Sequence, residues 1–161
     1  MISIYIDGAS RGNPGLSGIG VVIMKNNSKV KEIAQFVGKQ TNNRAEYLAL
    51  KKALEVAIEI DNEIMVFSDS KLVVQQRNKQ YKIRNKDLKI LSREISNLEH
   101  RYKVIYYKYI PRQENKSADF LANRAIEEML NKCDSGLPST GSDDDSELTW
   151  IGICRKGIYP N

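Results

Sequence analysis

Apolar residues in the first forty positions recur with a period of two. Ile2, Ile4 and Ile6 alternate with Ser3, Tyr5 and Asp7, which predicts a strand over 2–7. Two further runs, 19–24 and 30–37, are rich in Val and Ile and are joined by Asn26-Asn27-Ser28, residues suited to a tight turn. The Gly, Asn and Pro residues between Gly8 and Gly18 predict a turn cluster. From 42 to 60 the period lengthens to that of a helix, capped by Thr41 or Asn42. Residues 64–67 form a short unbroken apolar run, the mark of a buried strand. Ser68-Asp69-Ser70 ends that run and starts a helix through Gln76. A longer helix over 86–99 carries the stripe Leu88, Leu91, Ile95 and Leu98. A fifth strand over 104–110, a loop over 111–116 and a helix over 117–130 complete the pattern. The order βββαβααβα predicts an α/β fold: a five-stranded mixed sheet, its first three strands antiparallel, flanked by helices.

After Cys133 the pattern breaks. Residues 134–147 are rich in Ser, Gly and Asp and predict an acidic linker. Residues 148–161 regain apolar character through Trp150, Ile151, Ile153 and Ile158. The expected organisation is a domain over 1–133, a linker over 134–147 and a tail over 148–161 that docks on the domain. A partner-binding role for the tail, including tail-mediated association, is the alternative; a monomer is expected of the domain itself. Cys133 and Cys154 lack metal-ligand spacing and are expected to be reduced thiols. No run approaches the roughly 18 apolar residues of a membrane span, and the chain enters a strand pattern at its start, so a cytoplasmic protein with no membrane partner is expected.

The net charge of +5 conceals an asymmetry. Residues 134–161 hold two basic residues against five acidic ones, a balance of −3, which leaves +8 on residues 1–133. A basic domain suits a polyanionic partner, although charge alone fits any soluble basic domain.

Four acidic residues stand out against that basic background. Asp7 ends the first apolar strand and Asp69 follows the fourth. Glu46 shares a helix face with Leu50, Ala53 and Ala57, and Asp119 with Ala122, Ile126 and Leu130. Both helical carboxylates therefore point inward, where an unpaired charge is costly. Several converging carboxylates require protons or cations between them, so these four are the candidate metal ligands. Taken singly, each has a local role available: Asp69 as a helix cap, Asp7 at a turn, Glu46 and Asp119 against a helix dipole.

The stretches Asp7-Gly8-Ala9-Ser10-Arg11-Gly12-Asn13-Pro14-Gly15, Thr41-Asn42-Asn43-Arg44-Ala45-Glu46, Ser68-Asp69-Ser70 and Asn115-Lys116-Ser117-Ala118-Asp119 together resemble type 1 ribonuclease H. They fall in the matching order on the matching elements and cover about residues 1–131. This resemblance implies a ribonuclease H-like fold and an endonuclease that hydrolyses the RNA strand of RNA/DNA hybrids, leaving 5′-phosphate and 3′-hydroxyl ends. It also implies two Mg²⁺ ions, with Mn²⁺ as a substitute, held by Asp7, Glu46, Asp69 and Asp119. Asp7 would bridge both ions, Glu46 and Asp69 would hold the first, and Asp119 the second. Carboxylate oxygens are the ligands such hard cations take. Gly8, Ser10, Asn13, Asn42 and Asn43 fall at family positions that contact the hybrid minor groove and 2′-hydroxyls, and Thr41 at one that holds a DNA phosphate. Amides suit a hydroxyl because they both donate and accept.

The chain departs from the family pattern in one loop. Many members carry a His before the last Asp; here the loop reads Tyr109-Ile110-Pro111-Arg112-Gln113-Glu114-Asn115. Arg112 and Glu114 are the candidates for an auxiliary role, Arg112 by attracting phosphate, since a guanidinium cannot shuttle a proton. His100, the single histidine, is expected at the surface, and the Tyr-rich strand is expected to pack rather than stack on bases. Two alternatives stay open: a non-catalytic nucleic-acid-binding module of the same fold, and a related metal-dependent DNA nuclease or resolvase.

Overall fold

The computed structural model describes residues 1–135. Strands β1 (Ile2–Gly12), β2 (Gly15–Lys25) and β3 (Ser28–Gln40) come first. Helix α1 (Asn42–Ala57), strand β4 (Glu63–Ser68), and helices α2 (Lys71–Arg77) and α3 (Lys86–Glu99) follow. Strand β5 (Val104–Tyr109), a 3₁₀ turn (Arg112–Glu114) and α4 (Lys116–Ser135) end the described chain. The sheet order is β3-β2-β1-β4-β5. β1, β2 and β3 pair antiparallel, whereas β1–β4 and β4–β5 are parallel, so the expected mixed sheet and element order are found.

β1, β2 and β3 run longer than the alternation predicts, whereas β5 stops one residue short of its predicted end. Nearly all of the predicted turn cluster from Gly8 to Gly18 is strand, and the hairpin closes on Asn13 and Pro14 alone, across a cis peptide. Close packing, not turning, requires several of these glycines. A Cβ on Gly8 would lie 2.4 Å from the Ala45 carbonyl carbon and the Glu46 nitrogen, and one on Gly20 would lie 2.0 Å from the Ala118 carbonyl oxygen. Glycine thus lets α1 and α4 approach the sheet backbone directly. Asn26 and Asn27 form the second turn, both with positive φ, a conformation that Asn tolerates.

Ile2, Ile4 and Ile6 of β1, Val21 and Ile23 of β2, and Ile64 and Val66 of β4 share one buried face with α1 and α3. Each such side chain contributes about 1.5–3 kcal/mol on burial. Alternation puts Gly18 and Gly20 on the other face, beneath α4. The helix α3 matches its predicted bounds, with Leu88, Leu91 and Ile95 buried. Helix α4 runs to Ser135, beyond the predicted end at Leu130, continuing past its apolar stripe.

A polar network ties α2, α3 and β5 together. The Arg77 guanidinium, its side chain 6% exposed, donates to Glu99 Oε1 at 2.6 and 2.8 Å and to Ser92 Oγ at 2.6 Å. Tyr107 donates to the same Glu99 oxygen at 2.7 Å. Of the Tyr-rich segment, Tyr102 is buried with its hydroxyl on the Leu54 carbonyl, in keeping with packing, whereas Tyr106 and Tyr109 are exposed and do not pack as expected. His100 is exposed at the end of α3. Cys133 is disulfide-bonded, which corrects the expectation of a free thiol; the compartment argument says nothing about which thiols a fold brings together. Cys154, the linker beyond Ser135 and the tail lie outside the described residues. No helix among the described residues is long and apolar enough to cross a membrane.

Candidate metal centre and cleft

Pairing of β1 with β4 stops at Ile6 and Ser68. Beyond that point β1 continues beside β2 alone, and the sheet opens at the carboxyl ends of two parallel strands, where α/β sheets commonly bind ligands. Asp7 is the first residue past the split. Asp69 lies just after β4, between the strand and α2. Glu46 enters from α1, which Gly8 admits to van der Waals contact. One carboxylate oxygen from each of Asp7, Glu46 and Asp69 lies within 4.8 Å of the other two. Asp119, on the first turn of α4, completes the wall of a cleft of about 540 Å³.

Each carboxylate has a defined support. The Gly8 N–H donates to Asp7 Oδ1 at 3.0 Å and to Glu46 Oε2 at 3.2 Å. Asn123 Nδ2 donates to Asp119 Oδ1 at 3.2 Å, and its own Oδ1 accepts from Arg11 at 3.4 Å. Asn115 Nδ2 donates to Asp69 Oδ2 at 3.3 Å. The cap of α2 is Ser70, whose hydroxyl accepts from the Val73 N–H at 3.3 Å, so Asp69 is not spent on capping.

Burial and mutual repulsion push these acids toward their neutral forms. Asp7 is 4% exposed and is pushed up to about 8, first by burial and then by the charge of Asp69. Glu46 is raised well above the ordinary range by burial, then by the charges of Asp7 and Asp69. Asp69 is raised by burial, against the opposing hydrogen bond from Asn115 and the charge of Arg112. Arg112 reaches Asp119 at 3.6 Å with its side chain 79% exposed. The all-oxygen donor set fits a hard divalent ion, which takes carboxylates and retains several waters.

Residues 5–125 match the family described as reverse transcriptase-like. The bifunctional protein Rv2228c of Mycobacterium tuberculosis is 38% identical over 129 residues, covering 78% of this chain and 35% of that protein. The chain thus spans about a third of the length of that relative. Ribonuclease H of Francisella philomiragia is 32% identical over 145 residues, covering 80% of this chain and 92% of that protein. The chain belongs to the ribonuclease H family. Its fold agrees with the crystal structure of LC11-RNase H1 in complex with an RNA/DNA hybrid, at a TM-score of 0.78 and 37% identity, covering 81% of this chain and 99% of that one.

In this ribonuclease H fold the predicted substrate residues divide. Gly8, Ser10 and Asn42 line the cleft; Asn13, Thr41 and Asn43 do not. Asn13 Oδ1 instead accepts from the Asn42 N–H at 3.0 Å, fastening the β1–β2 hairpin to the start of α1. Thr41 caps α1, its hydroxyl accepting from the Arg44 N–H at 3.2 Å. Arg112 lines the cleft, whereas Glu114 faces a separate hollow beside Tyr5 and Met24.

The sequence reading passed over Arg11, Ser70, Tyr109 and Asn123, all of which line the cleft. Tyr109 is 40% exposed, and the Lys71 ammonium sits 5.3 Å from its ring centroid. In the sequence it looked like one more aromatic in a strand of aromatics. Nothing in the sequence sets it apart, since the predicted strand runs on through Ile110.

Proposed function

We propose that the protein is a metal-dependent endonuclease that hydrolyses the RNA strand of RNA/DNA hybrids, leaving 5′-phosphate and 3′-hydroxyl ends. The observation that carries this reading is the convergence of Asp7, Glu46 and Asp69 within 4.8 Å, with Asp119 on the same cleft. Three buried or half-buried acids cannot all ionise unless a cation joins them. Family membership and the likeness to LC11-RNase H1 in complex with an RNA/DNA hybrid support the substrate class.

In this reading Asp7, Glu46, Asp69 and Asp119 would hold two Mg²⁺ ions, or Mn²⁺ in their place, with Asp7 shared between them. When bound, such a pair activates the attacking water and stabilises the leaving 3′ oxygen. The protein contributes the positioning. The Gly8 N–H fixes Asp7 and Glu46 with one donor, and Asn123 orients Asp119. Ser10 and Asn42 face the cleft, suited to the minor groove and the 2′-hydroxyls that distinguish RNA from DNA. Arg11 and Arg112 on the cleft wall offer charge to the phosphates.

A labelled RNA/DNA hybrid, with duplex RNA and duplex DNA as controls, tests the proposal in Mg²⁺, Mn²⁺ and chelator. Cleavage confined to the RNA of the hybrid and dependent on metal is expected. Binding of the hybrid without cleavage in either metal would replace the proposal with a non-catalytic binding module. Cutting of duplex DNA would replace it with a DNA nuclease.

A further inference from the structure

Asn115 stands immediately before α4 and is 1% exposed. Its contacts lead to three elements. Nδ2 donates to the Ile6 carbonyl at 2.9 Å, one residue before Asp7, and to Asp69 Oδ2 at 3.3 Å. The Asn115 carbonyl accepts from the Asp119 N–H at 3.1 Å. One residue therefore joins β1, the end of β4 and α4, which carry three of the four carboxylates.

The amide orientation is dictated by these partners. Both groups facing Nδ2 are acceptors, and a flipped amide would set oxygen against oxygen. The other end is poorly served: Asn115 Oδ1 is buried with no hydrogen-bond partner, an arrangement that works against stability. An apolar side chain of similar size would avoid that penalty. What it would lose is the pair of N–H groups aimed at Ile6 and Asp69.

We infer that Asn115 is a positioning residue that holds the Asp69 carboxylate where Asp7, Glu46 and Asp69 present their oxygens to one divalent cation. The inference rests on the metal-centre reading proposed above. Asp69 has particular need of such support, because it sits between β4 and α2, outside any strand or helix. Partners that orient metal ligands from behind commonly change metal affinity about 10–100-fold when removed.

The test uses Asn115→Ala, with Tyr102→Phe as a control that removes a buried hydrogen bond away from the cleft. Mn²⁺ is titrated calorimetrically without nucleic acid, thermal unfolding is followed in chelator, and hybrid binding is measured in chelator. Asn115→Ala is expected to weaken Mn²⁺ binding by about 10–100-fold while leaving hybrid affinity in chelator close to wild type. Tyr102→Phe is expected to lower the melting temperature and leave Mn²⁺ affinity unchanged. Asn115→Ser, whose hydroxyl is too short to reach both acceptors, carries the same measurement if the alanine variant does not fold. Wild-type Mn²⁺ affinity in the Asn115 variants, or an equal loss in Tyr102→Phe, would overturn the inference. Tight Mn²⁺ binding by a wild type that cleaves nothing would end the nuclease reading, yet Asn115→Ala must still lose that binding for the positioning role to stand.

Discussion

Replacing Asp7 by Asn keeps the shape of the side chain and removes its charge. In the metal-free protein this substitution is expected to stabilise the fold, increasingly so as pH rises. Asp7 is pushed up to about 8 from an ordinary 3.8, first by burial and then by the charge of Asp69. Between those values the native state holds a proton that the unfolded chain releases. Stability therefore falls as pH rises toward 8, since fewer protons are bound on unfolding. The asparagine variant escapes this loss. Integrating the linkage gives a gain of less than about 1 kcal/mol at pH 4, about 3 at pH 6 and about 5 at pH 8. Relief of Glu46, whose acidity Asp7 also opposes, acts in the same direction. Urea unfolding of both proteins in chelator at the three pH values provides the differences directly. Added Mg²⁺ should narrow the difference, stabilising wild type by mass action and the variant far less. A variant less stable than wild type throughout, or a difference that does not change with pH, would refute the account of Asp7.

Other consequences follow from packing and charge. Arg77→Ala removes the cation held by Glu99, Ser92 and Ser96 and should cost about 3 kcal/mol in urea unfolding, because it strands a partly buried carboxylate. Gly20→Ala would place a Cβ 2.0 Å from the Ala118 carbonyl oxygen; the displacement of α4 should lower stability by about 1–3 kcal/mol and, by moving Asp119, reduce hybrid cleavage more than hybrid binding. Arg112→Ala should lower the cleavage rate at saturating hybrid about 10-fold or more if its charge acts on phosphate in the transition state, and an unchanged rate would remove Arg112 from the reaction.

The pattern of apolar and turn residues located the five strands and four α-helices, most plainly β1, β2, β4 and α1, whose apolar positions are buried, and left the 3₁₀ turn at Arg112–Glu114 as a loop. It misjudged the β1–β2 hairpin for a physical reason. Glycine both makes turns and permits close approach, and sequence alone does not say which is meant at Gly8, Gly18 or Gly20. The acidic cluster was legible because Glu46 and Asp119 stand on apolar stripes, where an unpaired carboxylate is costly. Supporting residues were not. Asn115 and Asn123 look like ordinary helix-start and helix residues until the backbone carries Ile6 and Asp69 to one and Arg11 to the other. Asn13 accepts from the Asn42 N–H, a contact 29 residues away that no local pattern signals.

The central claim is that Asp7, Glu46, Asp69 and Asp119 act as one metal-dependent unit on the RNA of a hybrid. Single-turnover cleavage of a labelled hybrid in Mg²⁺, by wild type and by each of Asp7→Asn, Glu46→Gln, Asp69→Asn and Asp119→Asn, addresses it most directly. The account predicts metal-dependent cleavage by wild type and a loss of about 10³-fold or more in every variant, as for residues that function together. Wild-type rates in any one of the four, or cleavage by wild type that survives chelator, would contradict it.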